Sequence, residues 1–232
     1  AVYQDFQNLH IGALTFDPTR PIIVSIDPGY THPAVVWAQI DTFDRLNILS
    51  ELLGENVEWD IFIERFTART QRLFPKAKQI DYVMDAAGCN TTMTGGRSPH
   101  FMLAQRGIHP RFMRRPITDG LMQVRKLMVS LRNGIPALMV DRGCVVTIEG
   151  FSGGYHYKKM TVDSTKVEPD PARDDIYEHF QDCIRNIVMI YFGCNASQSF
   201  SAGEKENLYR PVAASGQSRR ANSIYTGYKR FD

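Results

Sequence analysis

Hydrophobic positions fall along the chain in two rhythms. In "PIIVSIDPGYTHPAVVW" (residues 21–37) a run of mostly β-branched apolar residues meets an aspartate, a Pro-Gly turn and a second apolar run. That pattern predicts two tightly joined strands, 22–26 and 34–40, with a third of the same kind at 45–53. In "NVEWDIFIERFTARTQRLFP" the residues Trp59, Phe62, Ile63, Phe66 and Leu73 recur near i, i+3, i+4 and i+7, which predicts a helix stopped by Pro75. "QIDYVMDAAG" is a fourth strand, ending like the first in an aspartate followed by small residues. "SPHFMLAQRG" predicts a short helix with Ser98 as N-cap and Pro99 at its first position. "PRFMRRP" is a short strand, and "DGLMQVRKLMVSLRNG" a helix with Gly134 just past its end. A glycine-rich region then leads to "IYEHFQDCIRNIVMIYFG", a strongly amphipathic helix.

Three opening strands suit a meander, and the later alternation of strands and helices suits parallel crossovers. The expected fold is α/β: a mixed five-stranded sheet of order 3-2-1-4-5, with helices on both faces. Residues 1–20 are expected as a lead-in or linker, 21–194 as the domain, and 195–232 as a flexible basic tail, because periodicity stops there. That tail carries six of the 27 Lys and Arg and three of the 25 Asp and Glu, leaving 21 basic against 22 acidic elsewhere. Any polyanion must therefore meet local patches of the body.

With 43% hydrophobic and 22% charged residues the 232-residue chain is ordinary for a soluble domain. Its longest apolar runs are too short to cross a bilayer, so no membrane partner is expected. "AVYQDFQNLH" lacks the basic and apolar regions of a signal peptide, so secretion is not expected either. Cys89, Cys144, Cys183 and Cys194 form no C-x-x-C pair, which argues against zinc.

The order 3-2-1-4-5 makes strands one and four parallel neighbours, about 4.8 Å apart. Asp27 and Asp85 then face each other at a topological switch point, where open α/β sheets place ligands. Paired carboxylates need a shared proton or a divalent cation, and an oxygen-only set favours Mg²⁺ or Mn²⁺. The plainer reading has each aspartate capping its turn. The late helix adds Asp182, on a polar stripe with Glu178, His179, Arg185 and Asn186. Three carboxylates suffice for two cations, which activate water and stabilise a leaving oxygen in phosphodiester hydrolysis. His179 is placed to orient Asp182 or take a proton, unless it is simply packed or solvated. Glu51 and Glu55 are weaker fourth carboxylates.

Taken in order, "IVSIDPGYTHPAVVW", "IDYVMDAAG", "GCVVTIEGFSGGYHYKK" and "YEHFQDCIRNI" resemble the signature segments of the nuclease domain of phage large terminases. "AVYQDFQNLHIGALTFDP" resembles the passage from the terminase ATPase domain into that nuclease domain. The resemblance implies a ribonuclease-H-like fold and a metal-dependent endonuclease that cuts concatemeric viral DNA during packaging. It implies Asp27, Asp85 and Asp182 as ligands of two Mg²⁺ or Mn²⁺ ions. It leaves open whether Asp174, Asp175 or Lys166 assists, and it suggests a substrate gate at Gly153-Gly154-Tyr155. The implied partners are double-stranded DNA, the ATPase domain of the same terminase, the portal protein and the small terminase subunit, at the procapsid in the host bacterial cytoplasm.

Candidate phosphate contacts are Arg114 and Arg115 with Arg111, then Arg125, Lys126 and Arg132, then Lys158 and Lys159. "IDPGYTH" is also loosely like the phosphate loop of actin-like ATPases, but the chain has length for one such domain and carries no second loop or G-x-x-x-x-G-K-[ST]. A junction resolvase or transposase on the same fold, and a non-enzymatic DNA- or portal-docking module, are the remaining alternatives.

Overall fold

A strand whose every residue is apolar or small can be covered on both sides, and "IIVSI" becomes such a strand. The computed structural model of the chain describes residues 1–29, 31–89, 97–112, 116–159, 167–172 and 176–193, without the side chains of 87, 159 and 167–169. In chain order the strands are β1 (Ile11–Gly12), β2 (Ile22–Asp27), β3 (Ala34–Ile40), β4 (Leu46–Leu53), β5 (Ile80–Met84), β6 (Leu131–Arg132), β7 (Ile135–Pro136), β8 (Leu138–Asp141), β9 (Tyr157–Lys159) and β10 (Val167–Pro171). The α-helices are α1 (Trp59–Leu73), α2 (Pro99–Ala104), α3 (Ile117–Val129), α4 (Val145–Glu149) and α5 (Ile176–Phe192).

The main sheet runs β1-β8-β4-β3-β2-β5. The pairs β2–β3 and β3–β4 are antiparallel, while β2–β5, β4–β8 and β1–β8 are parallel. Ile22, Val24 and Ile26 pack with Phe62, Ile63 and Phe66 of α1 on one face. Ile23 packs on the other, with Leu121 and Val124 of α3 and Phe180, Ile184 and Ile187 of α5. Alternation within one buried strand thus feeds two cores.

The predicted order 3-2-1-4 is the order β4-β3-β2-β5. Of the fifth expected strand, in "PRFMRRP", residues 113–115 lie outside the described residues, and among the described ones Arg111 forms a parallel bridge with Val83 beside β5. Two changes come from short elements. Among the described residues the sheet has six strands, because β8 and β1 extend it beyond β4. The helix expected to reach Gly134 ends at Val129. Asn133 and Gly134 instead have φ of 53° and 75° and form the tight turn between β6 and β7. Asn-Gly suits two successive left-handed positions, which a type I′ hairpin needs. Gly153-Gly154-Tyr155 likewise closes a π-helical turn (Gly150–Gly154), with Gly153 at φ 131°, and the antiparallel pair β9–β10 follows it.

Backbone contacts divide the chain into Ala1–Ala196 and Ser197–Asp232, the second lying outside the described residues. Within the first unit, Val2 and Tyr3 are buried, and the Tyr3 ring meets Phe151 edge-on at 5.1 Å. His10 Nε2 lies 3.0 Å from the Met128 carbonyl, and Ile11 pairs with Val140. No described helix is long and apolar enough to cross a membrane. Tyr3→Ala should therefore lower the unfolding free energy by about 3 kcal/mol in urea denaturation. A loss below about 1 kcal/mol would place the opening residues outside the cooperative core.

Candidate metal centre

Backbone register sets the first two carboxylates. Ile26 pairs with Met84 across parallel strands, so Asp27 and Asp85 follow side by side where β2 and β5 end. Their exit turns interlock. A Cβ on Gly88 would stand 2.7 Å from the Met84 sulfur and 3.1 Å from Pro28 Cγ. The Gly88 amide donates to the Asp85 carbonyl at 3.0 Å, closing the turn beneath that carboxylate.

The third element is pinned to the same strands. Ser25 Oγ donates to the Cys183 carbonyl at 2.8 Å, and Cys183 Sγ reaches the Ala34 carbonyl at 3.7 Å. Cys183 is fully buried, and that burial pushes its thiol pKa up, so it acts as a small packing residue. Fixing Cys183 fixes its neighbours. Asp182 precedes it, and His179 lies one turn earlier.

His179 Nδ1 is 2.7 Å from Asp27 Oδ2, and its Nε2 is 3.9 Å from Glu178 Oε1. Burial lowers the imidazole pKa, but the hydrogen bond and charge of Asp27, with Glu178 and Asp182, outweigh burial and raise it. Gly29 admits the ring: a Cβ there would lie 2.9 Å from His179 Cε1 and 2.7 Å from the His32 carbonyl oxygen. Asp182 Oδ1 accepts from Arg185 Nη1 at 2.5 Å.

The arrangement therefore gathers Asp27, Asp85, His179, Glu178 and Asp182 at one end of the sheet. The donor set is rich in carboxylate oxygen, and its chemistry fits a hard divalent cation. Its side chains are turned to protein partners: among the described residues no three His, Cys, Asp or Glu groups stand close enough to hold one ion. Sequence reasoning saw Glu178 and Arg185 only as members of a polar stripe. Their signal was position, one residue before His179 and one turn after Asp182.

Other candidates are placed elsewhere or spent. Glu51 caps α4, accepting from the Val146 amide at 2.8 Å and from the Thr147 amide and hydroxyl at 2.9 and 2.7 Å. It is a structural carboxylate, and Glu55 is exposed. Arg125 donates to the Val2 carbonyl and to Tyr157, and Arg111 lies over the Tyr191 ring beside Asp81. Lys158 is exposed on β9. Arg114, Arg115, Lys166, Asp174 and Asp175, and the side chain of Lys159, lie outside the described residues.

No protein-family model and no curated protein matches the sequence. Among solved structures, the large terminase of a thermophilic bacteriophage aligns with TM-score 0.63 and 14% identity, over 82% of this chain and 44% of that one. The P22 large terminase nuclease domain aligns with TM-score 0.59 and 16% identity, over 82% of this chain and 92% of that domain. The chain thus spans less than half of the thermophilic phage protein and matches nearly all of the P22 domain. A T. thermophilus RuvC in complex with Holliday junction substrate aligns with TM-score 0.33, too low to weigh. The chain has the ribonuclease-H-like fold seen in phage large terminase nuclease domains.

Proposed function

We propose that the chain is a divalent-metal-dependent DNA endonuclease, the nuclease part of a large terminase that cuts concatemeric viral DNA during packaging. The observation that supports this best is the parallel register that sets Asp27 beside Asp85, with Asp182 presented nearby by α5. Those three residues are the proposed ligands of Mg²⁺ or Mn²⁺. Two such cations bound there would supply an activated water and stabilise the departing 3′-oxygen.

The residues divide the remaining work. Asp27 ends β2 and Asp85 directly follows β5, and both strands pack into the two cores that hold them in place. His179 Nδ1 holds one oxygen of Asp27 and so orients that carboxylate. Glu178 adds negative charge on the far side of the imidazole. Lys158 and Lys159, with Arg114 and Arg115, are the proposed phosphate contacts, giving affinity without sequence preference. Asp175 and Lys166 are proposed as assisting groups. By the same reading the ATPase domain, the portal protein and the small terminase subunit are the partners, and the host cytoplasm is the place of action.

Supercoiled plasmid incubated with the chain and Mn²⁺ should be nicked and linearised. Asp27→Asn and Asp85→Ala should each slow cleavage more than about 100-fold, since even outer-shell partners of metals are worth about 10–100-fold. DNA binding in a mobility-shift assay should survive both changes. Plasmid left intact, or cleavage undiminished in Asp85→Ala, would contradict the assignment.

Two further substitutions separate positioning from capping. Gly29→Ala puts a methyl group against the His32 carbonyl and the His179 ring, so cleavage should fall about tenfold, with a stability loss of about 1–3 kcal/mol. Glu51→Gln should retain cleavage and lower stability by about 1 kcal/mol, read by urea denaturation. Loss of cleavage in a folded Glu51→Gln protein would return that residue to the metal set.

A further inference from the structure

Arg185 is the only lysine, arginine, aspartate or glutamate buried among the described residues, at 7% exposure. A guanidinium withdrawn from water requires an anion at hydrogen-bonding distance. Asp182, one turn earlier on α5, supplies it through Oδ1 at 2.5 Å. The stem of Arg185 is seated with equal care. It crosses α3 at Gly120, where a Cβ would come within 2.2 Å of Arg185 Cγ and 2.3 Å of Cδ. A glycine inside a helix costs roughly 1 kcal/mol relative to alanine, so this helix gives up propensity where the arginine passes. The other groups whose charge Arg185 feels are the phenols of Tyr155 and Tyr3, and burial pushes the Tyr3 phenol up, toward its neutral form. Asp182 is the carboxylate in that set.

We propose that Arg185 is an internal counter-cation for Asp182, a positioning residue that fixes this carboxylate in the metal-free site and competes with the divalent cation for its charge. The inference rests on the nuclease reading and adds a property to it. Carboxylates gathered at one end of a sheet repel, and the fold must tolerate that repulsion before any cation arrives. A permanent cation buried behind Asp182 lowers that repulsion. The same charge opposes a second cation at the same carboxylate, so metal affinity is set below what the carboxylates alone would give.

The test is calorimetric titration of the intact chain with MnCl₂, without DNA. Arg185→Met removes the charge and keeps much of the stem, Arg185→Gln does so with a polar end, and Arg185→Lys keeps the charge. The neutral variants should bind Mn²⁺ roughly tenfold more tightly than the parent chain. Arg185→Lys should stay near the parent. The metal-free melting temperature should fall in Arg185→Met and recover on adding Mn²⁺ by more than the parent gains, because a tighter ligand stabilises more at equal concentration. A merely structural arginine predicts weakened or unchanged Mn²⁺ binding, and that result in the neutral variants overturns the inference. Asp27→Asn separates the two claims. If it abolishes Mn²⁺ binding, the metal site on which the nuclease reading depends stands whatever Arg185 does, and if binding ignores it, both fall.

Discussion

Carboxylates set on neighbouring parallel strands cannot retreat from one another, because the hydrogen-bond ladder fixes their backbones about 4.8 Å apart. Asp27 ends β2 and Asp85 directly follows β5, each one residue past the last rung of that ladder, Ile26 with Met84. β2 is buried on both faces, so sliding it to relieve the repulsion would disrupt both cores. The charge must be answered in place. Much of the local structure can be understood as that answer: the imidazole brought to Asp27, the guanidinium brought to Asp182, and the glycines that let each approach.

The helix that carries these groups is held by modest contacts at the right places. Ser25, the single polar residue within the β2 interior run, spends its hydroxyl on the Cys183 carbonyl. One hydrogen bond to a helix carbonyl adds about 1 kcal/mol, but it also fixes rotation and height. Rotation is what matters here, since a shift of one residue would swing His179 and Asp182 away from the strand ends. Apolar packing of Phe180, Ile184 and Ile187 supplies the larger stabilisation, and the polar contact chooses the register.

The sequence displayed the parts whose pattern is long. The mostly apolar run at Ile22–Ile26, a fifteen-residue helix at Trp59–Leu73 and a seventeen-residue helix at Ile176–Phe192 stand out from their surroundings. The order β4-β3-β2-β5 followed from them. Elements of two to four residues did not show: β8 and β1 join the sheet edge through pairings no local pattern announces, and Asn133-Gly134 is as good a hairpin turn as it is a helix end. The side-by-side placement of Asp27 and Asp85 was legible because strand ends plus topology put them together. Arg185 was not, because its burial depends on Gly120, on a different helix far back along the chain. Glu51 misled for the same reason, since its partners are amides of a helix far along the sequence.

The central claim is that the carboxylates of Asp27, Asp85 and Asp182, at the ends of β2 and β5 and on α5, form one cation site. A structure of the chain soaked in Mn²⁺, with anomalous scattering recorded at the manganese edge, tests it most directly. The account predicts anomalous density within about 2.0–2.6 Å of oxygens from Asp27, Asp85 and Asp182, with the side chains turned toward it. Saturating Mn²⁺ that leaves Asp27 bound to His179 and Asp182 bound to Arg185, with manganese elsewhere or nowhere, would contradict it.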